Sequence, residues 1–283
     1  MRIILLLMVF AILYVTAVKA QVTGNNIYDN ARRNYISGNF EEAIKYYNEY
    51  LKSYTNDDKA FYERGVCYES LRRFDNALRD YSTAINLSPG YHKYYESRGY
   101  AYLKLNMPQN SLDDFNRSIQ KNAFSSEGYW GRANAYTDLG KYDMALKDIN
   151  SALNIDPSNA MYLYIRAILY TTIGDTTNFF RDLDLLSNLY ASSFFSNYKS
   201  QYVVLILDNI NTNVVNLTRQ MLEYPQDSFI YFRRGFNYYL LRNFTHAEED
   251  FNSAIKYSQN VNSKLVTLSY KYIENCKLFS TGN

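Results

Sequence analysis

Apolar and small residues recur along this chain with a period of 34 positions. Within one period a first set follows the spacing of one helix face, and a second set repeats that spacing after a short polar gap. The centre of the second set is a small residue in most periods, and these seven positions are Ala43, Ala77, Ser111, Ala145, Phe179, Asn213 and Ala247. A period of this length predicts pairs of short antiparallel helices that stack on one another, because one globular core has no such internal repeat.

The period divides the chain into seven repeats, each counted from position 1 to position 34. Their limits are 24–57, 58–91, 92–125, 126–159, 160–193, 194–227 and 228–261. The pattern predicts helix A over positions 1 to 14 and helix B over the second half of each repeat. Position 15 is glycine where a tight turn is expected, at Gly38, Gly140 and Gly174. Position 32 is proline at Pro89, Pro157 and Pro225, where helix B should end.

The second repeat contains Phe61, Gly65, Tyr68, Phe74, Ala77, Tyr81, Ala84 and Pro89. In these residues, and in their equivalents in repeats three, four and seven, the chain resembles the tetratricopeptide repeat family. The resemblance covers residues 24–261 and implies an all-α, right-handed superhelical solenoid of about seven helix-turn-helix repeats. Residues 262–283 have the spacing of one more helix, which a solenoid needs as a cap at its C-terminal end.

Five repeats carry Arg at position 7 together with Asp at position 23, and the other two repeats lack both residues. This joint presence predicts a structural ion pair between helix A and helix B, although descent by duplication would leave the same pattern without contact. The predicted pairs are Arg64 with Asp80, Arg98 with Asp114, Arg132 with Asp148, Arg166 with Asp182, and Arg234 with Asp250.

Repeats five and six keep the period but lose most of the signature residues. Bulky Phe179 and Asn213 replace the small residue at position 20, which predicts a change of superhelix curvature between residues 175 and 225. The apolar run 203–207 is either a helix buried between its neighbours or an exposed docking patch, with the buried helix favoured. Tyr190–Phe195, rich in Ser and aromatic residues, is expected to be an extended connection.

The N-terminus has the pattern of an export signal. Arg2 precedes an uncharged apolar run from Ile3 to Val18, and small residues follow at a cleavage site before Gln21. We expect residues 1–20 to be a signal peptide, with an uncleaved membrane anchor as the alternative. The expected location is therefore the periplasm, the cell envelope or the extracellular space, and a bacterial host is favoured by the overall composition.

Charge and cysteine content exclude several classes of function. Lys plus Arg total 30 and Asp plus Glu total 28, and the chain becomes neutral once Arg2 and Lys19 are removed with the signal. A neutral chain lacks the basic surface of a nucleic-acid-binding protein. Cys67 and Cys276 are too few for a disulfide framework and are expected to be isolated thiols.

Candidate chemistry is sparse. His92 and His246 lie at helix starts, and neither belongs to a metal-ligand spacing, a phosphate loop or a nucleophile motif. We therefore expect no enzymatic activity and no cofactor or metal.

The resemblance places partner contacts in a concave groove lined by positions 2, 5, 9, 12 and 13 of helix A. Carried over to this chain, it gives the partner-binding candidates Tyr28, Arg32, Tyr62, Lys93, Tyr100, Trp130, Asn134, Tyr164, Tyr198, Tyr202, Phe232 and Phe236. Packing between repeats is the alternative explanation for the rings. The family's basic clamp for a terminal carboxylate is not reproduced, because Tyr28 and Arg32 occupy its first two positions.

The sequence thus predicts a non-catalytic scaffold or adaptor that holds a peptide segment or a protein partner. A glycan-binding module that stacks sugars on the Tyr and Trp rings is the alternative. Membrane contact is expected only through the N-terminal segment, if that segment is uncleaved.

Overall fold

The computed structural model describes residue 24 and residues 26–193, 202–260 and 263–280, with side chains for all of these except 187–193 and 202–209. Every regular element in these ranges is an α-helix. The chain divides into two compact bodies, which are described separately: the N-terminal body, Met1–Ile173, and the C-terminal body, Gly174–Asn283. The signal segment predicted at residues 1–20 lies outside the described residues.

The N-terminal body is a series of helical hairpins with the predicted period. Odd-numbered helices are the A helices of successive repeats, and even-numbered helices are the B helices. The helices are α1 (26–36), α2 (Phe40–Ser53), α3 (Asp58–Ser70), α4 (Phe74–Leu87), α5 (His92–Lys104), α6 (Pro108–Lys121), α7 (Ser126–Asp138), α8 (Tyr142–Ile155) and α9 (Ala160–Thr172). The all-α, helix-turn-helix fold predicted from the period is confirmed.

The turn from helix A to helix B uses a left-handed backbone conformation at position 15. The predicted turn residues Gly38, Gly140 and Gly174 have φ of 77°, 69° and 81°. The same position is left-handed at Arg72, Asn106 and Arg242, with φ of 58°, 57° and 57°. The turn geometry is therefore kept even where a side chain makes it costly.

Small residues let the helices of a hairpin approach closely. Ala43, Ala77 and Ala145 are completely buried at position 20. Glycine is required at one further contact, because a Cβ atom at Gly131 would lie 2.1 Å from the ring of Phe115. Bulk at these places would force the packed helices apart.

Four of the five predicted ion pairs are present. In each, the arginine Nε and Nη2 atoms donate to the two carboxylate oxygens of the aspartate, which is the bidentate geometry of a strong ion pair. The shortest N···O distances are 2.6 Å for Arg64–Asp80, 2.7 Å for Arg98–Asp114, 2.7 Å for Arg132–Asp148 and 2.8 Å for Arg234–Asp250. The two members of the fifth pair, Arg166 and Asp182, belong to different bodies, and this pair stays a prediction.

Each of these arginines also bonds to the preceding repeat, a contact that the sequence analysis did not anticipate. The Nη1 atom donates to a polar side chain at position 25 of the previous helix B, over 2.7 to 3.1 Å. The acceptors are Asn48, Ser82, Asn116, Asn150 and Thr218. In Arg64, Arg98, Arg132 and Arg234 one guanidinium thus joins three helices, and we call this arrangement the arginine fork.

The C-terminal body keeps one regular hairpin. Its helices are α10 (Thr176–Ser193), α11 (Tyr202–Glu223), α12 (Ser228–Leu240), α13 (Phe244–Tyr257) and α14 (Lys264–Ser280), and α12 with α13 forms repeat seven. Repeat six departs from the predicted hairpin, because α11 continues through its position 15 without a turn. That position is Asp208, and 202–223 contains no glycine or proline that would end the helix.

The structure corrects one further expectation for this region and leaves two others untested. The extended connection predicted for Tyr190–Phe195 is wrong for its first four residues, since α10 is helical through Ser193 and contains neither Gly nor Pro. Residues 203–207 lie in α11, but their side chains fall outside the described residues. The change of curvature expected between 175 and 225 stays a prediction.

The final helix, α14, contributes a buried ring to the core of the C-terminal body. The Tyr272 ring is completely buried in α14 and packs against Phe232, Phe236 and Phe251 of repeat seven. Its hydroxyl donates to the backbone carbonyl of Leu183 in α10 over 3.2 Å. Phe179 and Phe180 of α10 pack edge-on against Phe229 and Phe232. An aromatic core therefore fastens α10, α12, α13 and α14 together.

Candidate functional site: the A-helix face

The A-helix face is defined here as positions 2, 5, 9, 12 and 13 of α1, α3, α5, α7 and α9. The partner-binding candidates predicted on it differ widely in exposure. Arg32 and Lys93 are exposed, and Tyr28, Tyr62 and Asn134 are half-buried. Tyr100, Trp130 and Tyr164 are buried, with 2 to 3% of each residue accessible.

Two of the four candidates in the C-terminal body have described side chains, and both are buried. Phe232 and Phe236 belong to the aromatic core, with 0% and 3% of each residue accessible. Tyr198 and the side chain of Tyr202 lie outside the described residues.

The buried rings of the N-terminal body form a wall between adjacent A helices. Tyr100 in α5 and Trp130 in α7 have ring centroids 5.6 Å apart, and Trp130 lies 5.9 Å from Tyr162 in α9. The Tyr100 hydroxyl donates to the backbone carbonyl of Glu127 over 3.1 Å. In this conformation these rings pack between neighbouring repeats. Only the exposed and half-buried residues of the face are accessible to a ligand.

The Glu63 carboxylate joins several side chains at the N-terminal end of the A-helix face. Glu63 in α3 accepts hydrogen bonds from the hydroxyls of Tyr28 over 2.9 Å and Tyr47 over 2.8 Å, and Arg32 bonds to its other oxygen over 3.1 Å. Burial and the Glu63 carboxylate raise the pKa of Tyr28 and Tyr47 well above the ordinary value, so both remain donors. Arg32 is half exposed, and the outer side of its guanidinium is available to a ligand.

Tyrosine rings continue the face into repeats two and three. Tyr62 lies 4.9 Å from Tyr94, and Tyr91 packs edge-on against Tyr94 at 4.7 Å. Beside them the Tyr81 hydroxyl donates to Glu69 over 2.5 Å. Burial raises the pKa of the Glu69 carboxyl to about 7, although Tyr81 and nearby Lys104 oppose the shift.

A second carboxylate, Glu96 in α5, is almost completely buried. One of its oxygens, Oε1, accepts from the hydroxyls of Ser118 and Ser125 over 2.7 and 2.6 Å, and it lies 3.1 Å from Nδ1 of His92. Ser125 is also the N-cap of α7, where its hydroxyl accepts from the Gly128 amide. The carboxylate therefore ties the end of α6 and the start of α7 to α5.

Polar groups without a protein partner also lie on this face. Lys59 and Lys93 are exposed and form no ion pair with the described residues. The amide nitrogen of Asn134 is buried and has no hydrogen-bond partner in the described part of the chain. These groups, with the half-buried rings, give the face both polar and aromatic contacts for an extended segment.

Other chemistry is limited where the structure describes the chain. No cluster of His, Cys, Asp and Glu in that part could hold a metal ion. Burial raises the pKa of the Cys67 and Cys276 thiols to about 12, and both are free. Among the described helices none is long and apolar enough to cross a membrane.

The sequence did not predict the contacts made by two carboxylates, Glu63 and Glu96. Glu63 lies at position 6, which the resemblance does not assign to the groove. Glu96 lies at position 5, a groove position, but that position does not predict its hydrogen bonds to Ser118 and Ser125 or its burial. The available hint was that Glu96 interrupts a row of aromatic residues at position 5.

Comparison with known proteins agrees with this geometry. Family models for the tetratricopeptide repeat match residues 58–91 and 126–159, the limits of repeats two and four. No curated protein sequence matches the chain.

Three solved structures illustrate the likeness. MamA from Desulfovibrio magneticus RS-1, from residue 41 to its end, is 17% identical with a TM-score of 0.57, and the match covers 60% of this chain and 96% of that one. A tetratricopeptide repeat protein from Parabacteroides merdae ATCC 43184 is 19% identical with a TM-score of 0.56 and coverage of 89% and 84%. YrrB, described as a TPR protein with an unusual peptide-binding site, is 18% identical with a TM-score of 0.50 and coverage of 59% and 86%.

At these identities the solved structures establish the fold. Repeats two and four of this chain are tetratricopeptide repeats, and the helical hairpins around them have the fold of that repeat family.

Proposed function

We propose that this protein is a non-catalytic scaffold whose A-helix face binds a peptide segment or a protein partner. The observation that carries the proposal is the composition of that face: half-buried Tyr28 and Tyr62 lie among the exposed charges of Lys59, Lys93 and Glu127. Rings that anchor a ligand, surrounded by charged groups that remain in water, are typical of protein-binding surfaces. The peptide-binding site named for YrrB supports the same assignment by fold likeness.

Burial of the largest rings favours a protein partner over a glycan. Sugars stack on exposed ring faces, whereas Tyr100, Trp130 and Tyr164 are each at least 97% buried. The half-buried tyrosines on the face bond through their hydroxyls to neighbouring side chains. A peptide can use the exposed charges and the tyrosine edges without moving these rings.

A site-specific crosslinking experiment tests the proposal. A photoreactive residue replaces exposed Lys93 on helix A of repeat three, and in the matched control it replaces exposed Lys147 on helix B of repeat four. Both sites are lysines, so the two variants lose the same charge. The expected result is a specific crosslinked protein from the native host with the Lys93 variant only. Equal crosslinking from both sites, or crosslinking from Lys147 alone, would place the contact away from the A-helix face.

The proposed site of action is the cell envelope or exterior of a bacterium, reached through residues 1–20. The apolar run and the small residues before Gln21 support this proposal. Mass spectrometry of the N-terminal peptide from the native host tests it: a mature chain beginning at Gln21 is expected, and an intact Met1 in a membrane fraction would favour the anchor.

A further inference from the structure

Helix α10 departs from the repeat signature along one face. Positions 20 and 27 are Ala or Ser in repeats two, three, four and seven, but in α10 they are Phe179 and Leu186, with Leu183 between them. The spacing i, i+4, i+7 places these three residues on one side of the helix, and they are 3%, 2% and 0% exposed in the order named. The opposite side exposes Arg181 and Leu185. Helix α10 is therefore amphipathic and buries a stripe of large apolar side chains.

The aromatic end of this stripe lies against α12. The ring centroids of Phe179 are 5.3 Å from Phe229 and 6.3 Å from Phe232, and Phe180 lies 6.1 and 5.9 Å from the same two rings. Phe229 and Phe232 are positions 2 and 5 of helix A in repeat seven, which the family resemblance assigns to the groove. Helix α10 thus covers groove positions of a repeat to which it does not belong.

A regular helix B directs this face to its own hairpin. In repeat seven, an added Cβ at Gly235 of α12 would lie 3.2 Å from the carbonyl of Ala247 and 3.2 Å from the ring of Phe251, at positions 20 and 24 of α13. Phe179, at position 20 of repeat five, lies against helix A two repeats later. Toward α12, α10 therefore has the place of a ligand rather than of a hairpin partner.

Helix α10 also reaches the neighbouring helix, α14. The Tyr272 hydroxyl donates to the backbone carbonyl of Leu183 over 3.2 Å, and Lys264 forms an ion pair with Asp184. Tyr272 itself packs against Phe232 of α12. One helix that crosses two adjacent helices on their groove side has the geometry of helix-in-groove recognition.

We propose that the side of α12 and α14 covered by α10 is a helix-binding groove, and that a partner protein presents an amphipathic helix that takes the place of α10. The chemistry of α10 specifies this helix: an aromatic residue at i, apolar residues at i+4 and i+7, and an acidic residue at i+5 that pairs with Lys264. Helix α10 is then an intramolecular competitor, held at a high effective concentration by its covalent connection. This binding surface belongs to the C-terminal body and goes beyond the function proposed for the N-terminal body.

Fluorescence anisotropy with a labelled peptide tests the proposal on the full chain. The peptide has the sequence of residues 174–190, and a control peptide carries Phe179→Ala and Leu183→Ala. The proteins are wild type, Leu183→Ala and Leu185→Ala. The last variant is the matched control, because it removes the same side chain from the outer side of α10, where Leu185 is 44% exposed.

The expected result is at least about tenfold tighter binding of the peptide to Leu183→Ala than to wild type. The substitution weakens the tethered competitor, and the loss of a completely buried leucine side chain is worth more than this factor. Leu185→Ala should bind the peptide as wild type does, and the control peptide should bind none of the three proteins.

Hydrogen exchange on the wild-type chain decides the question even where Leu183→Ala fails to fold. A saturating concentration of the peptide should speed the exchange of the α10 amides, while α12 and α14 keep their protection. Joint loss of protection in all three helices, equal peptide binding to the three proteins, or no binding to any of them would overturn the proposal, because α10 would then be a fixed part of the core. None of these outcomes affects the Lys93 crosslink that tests the proposed function.

Discussion

The arginine fork of repeat four should be a principal source of stability. Arg132 donates twice to Asp148 over 2.7 Å and once to Asn116 over 2.8 Å, and its guanidinium lies 5.6 Å from the centre of the Tyr129 ring. Asp148 is 3% exposed. Arg132→Ala therefore leaves a buried carboxylate without its cation, for which about 3–5 kcal/mol of the free energy of unfolding is expected to be lost.

The contact to Asn116 adds less, because it lies near the surface, where a hydrogen bond contributes about 1 kcal/mol or less. Arg132→Lys keeps the charge but not the fork, and should lose an intermediate amount. A double-mutant cycle with Asp148→Asn should give a coupling energy above about 2 kcal/mol. Lys147→Ala, an exposed lysine on the same helix as Asp148, is the control and should change stability little.

Urea unfolding measures these differences, followed by far-ultraviolet circular dichroism and by Trp130 fluorescence. Coincidence of the two curves shows whether a single transition describes the data. A loss below about 0.5 kcal/mol for Arg132→Ala would refute the reasoning, because that is the value of an exposed ion pair.

Three further predictions follow from single positions. Ser111 is completely buried and its hydroxyl has no partner in the described part of the chain, so Ser111→Ala should raise the free energy of unfolding by about 1 kcal/mol in urea titrations; a loss would show that the hydroxyl is satisfied. Burial raises the pKa of Glu69 from 4.5 to about 7, so its contribution to stability is fully present below pH 4.5 and is lost as the pH rises through 7. At about 1.36 kcal/mol per pH unit this loss is at most about 3 kcal/mol. Thermal unfolding between pH 4 and 8 should therefore show that the melting temperature of Glu69→Gln rises relative to that of wild type as the pH increases. Parallel plots of melting temperature against pH for the two proteins would contradict the shift. Arg72 has φ of 58° and an exposed side chain, so Arg72→Gly should stabilise by about 0.5–1 kcal/mol, whereas Gly140→Ala should destabilise by a similar amount; the chemical denaturation midpoints of the two variants check the pair.

The 34-residue period predicted most of the fold, because each regular repeat packs against neighbours of the same kind. A residue type that recurs at one position, such as Arg98 with Asp114, reports a contact made in every regular repeat, so the ion pairs were predictable from their joint presence. The hydrogen bond from the arginine Nη1 atom to the preceding repeat also leaves a pattern in the sequence, because position 25 is polar in all seven repeats. These residues are Asn48, Ser82, Asn116, Asn150, Asp184, Thr218 and Asn252. The polar residue at position 25 did not predict this contact, because the arginine that donates to it lies in the following repeat.

The remainder depended on contacts that do not repeat. Whether Trp130 is exposed is decided by Tyr100 and Tyr162 on two neighbouring helices, so its position in the repeat did not settle its burial. The packing of Tyr272 against α10 joins residues 89 positions apart, a distance that bears no relation to the repeat. The family resemblance placed the candidate site on the A helices, which stays a prediction, while the contacts of Glu63 and Glu96 could be found only in the structure.

The packing of α14 against α10 determines when the C-terminal body can fold during synthesis. In the N-terminal body the hydrogen bonds of Tyr94 and Tyr162 to the preceding repeat span 36 residues, about one repeat, so each hairpin can form soon after it leaves the ribosome. Phe232, Phe236 and Phe251 must wait until α14 has been synthesised before Tyr272 can cover them. A message that ends before codon 264 would release a product in which these rings lack that cover, a ready substrate for chaperones and proteases.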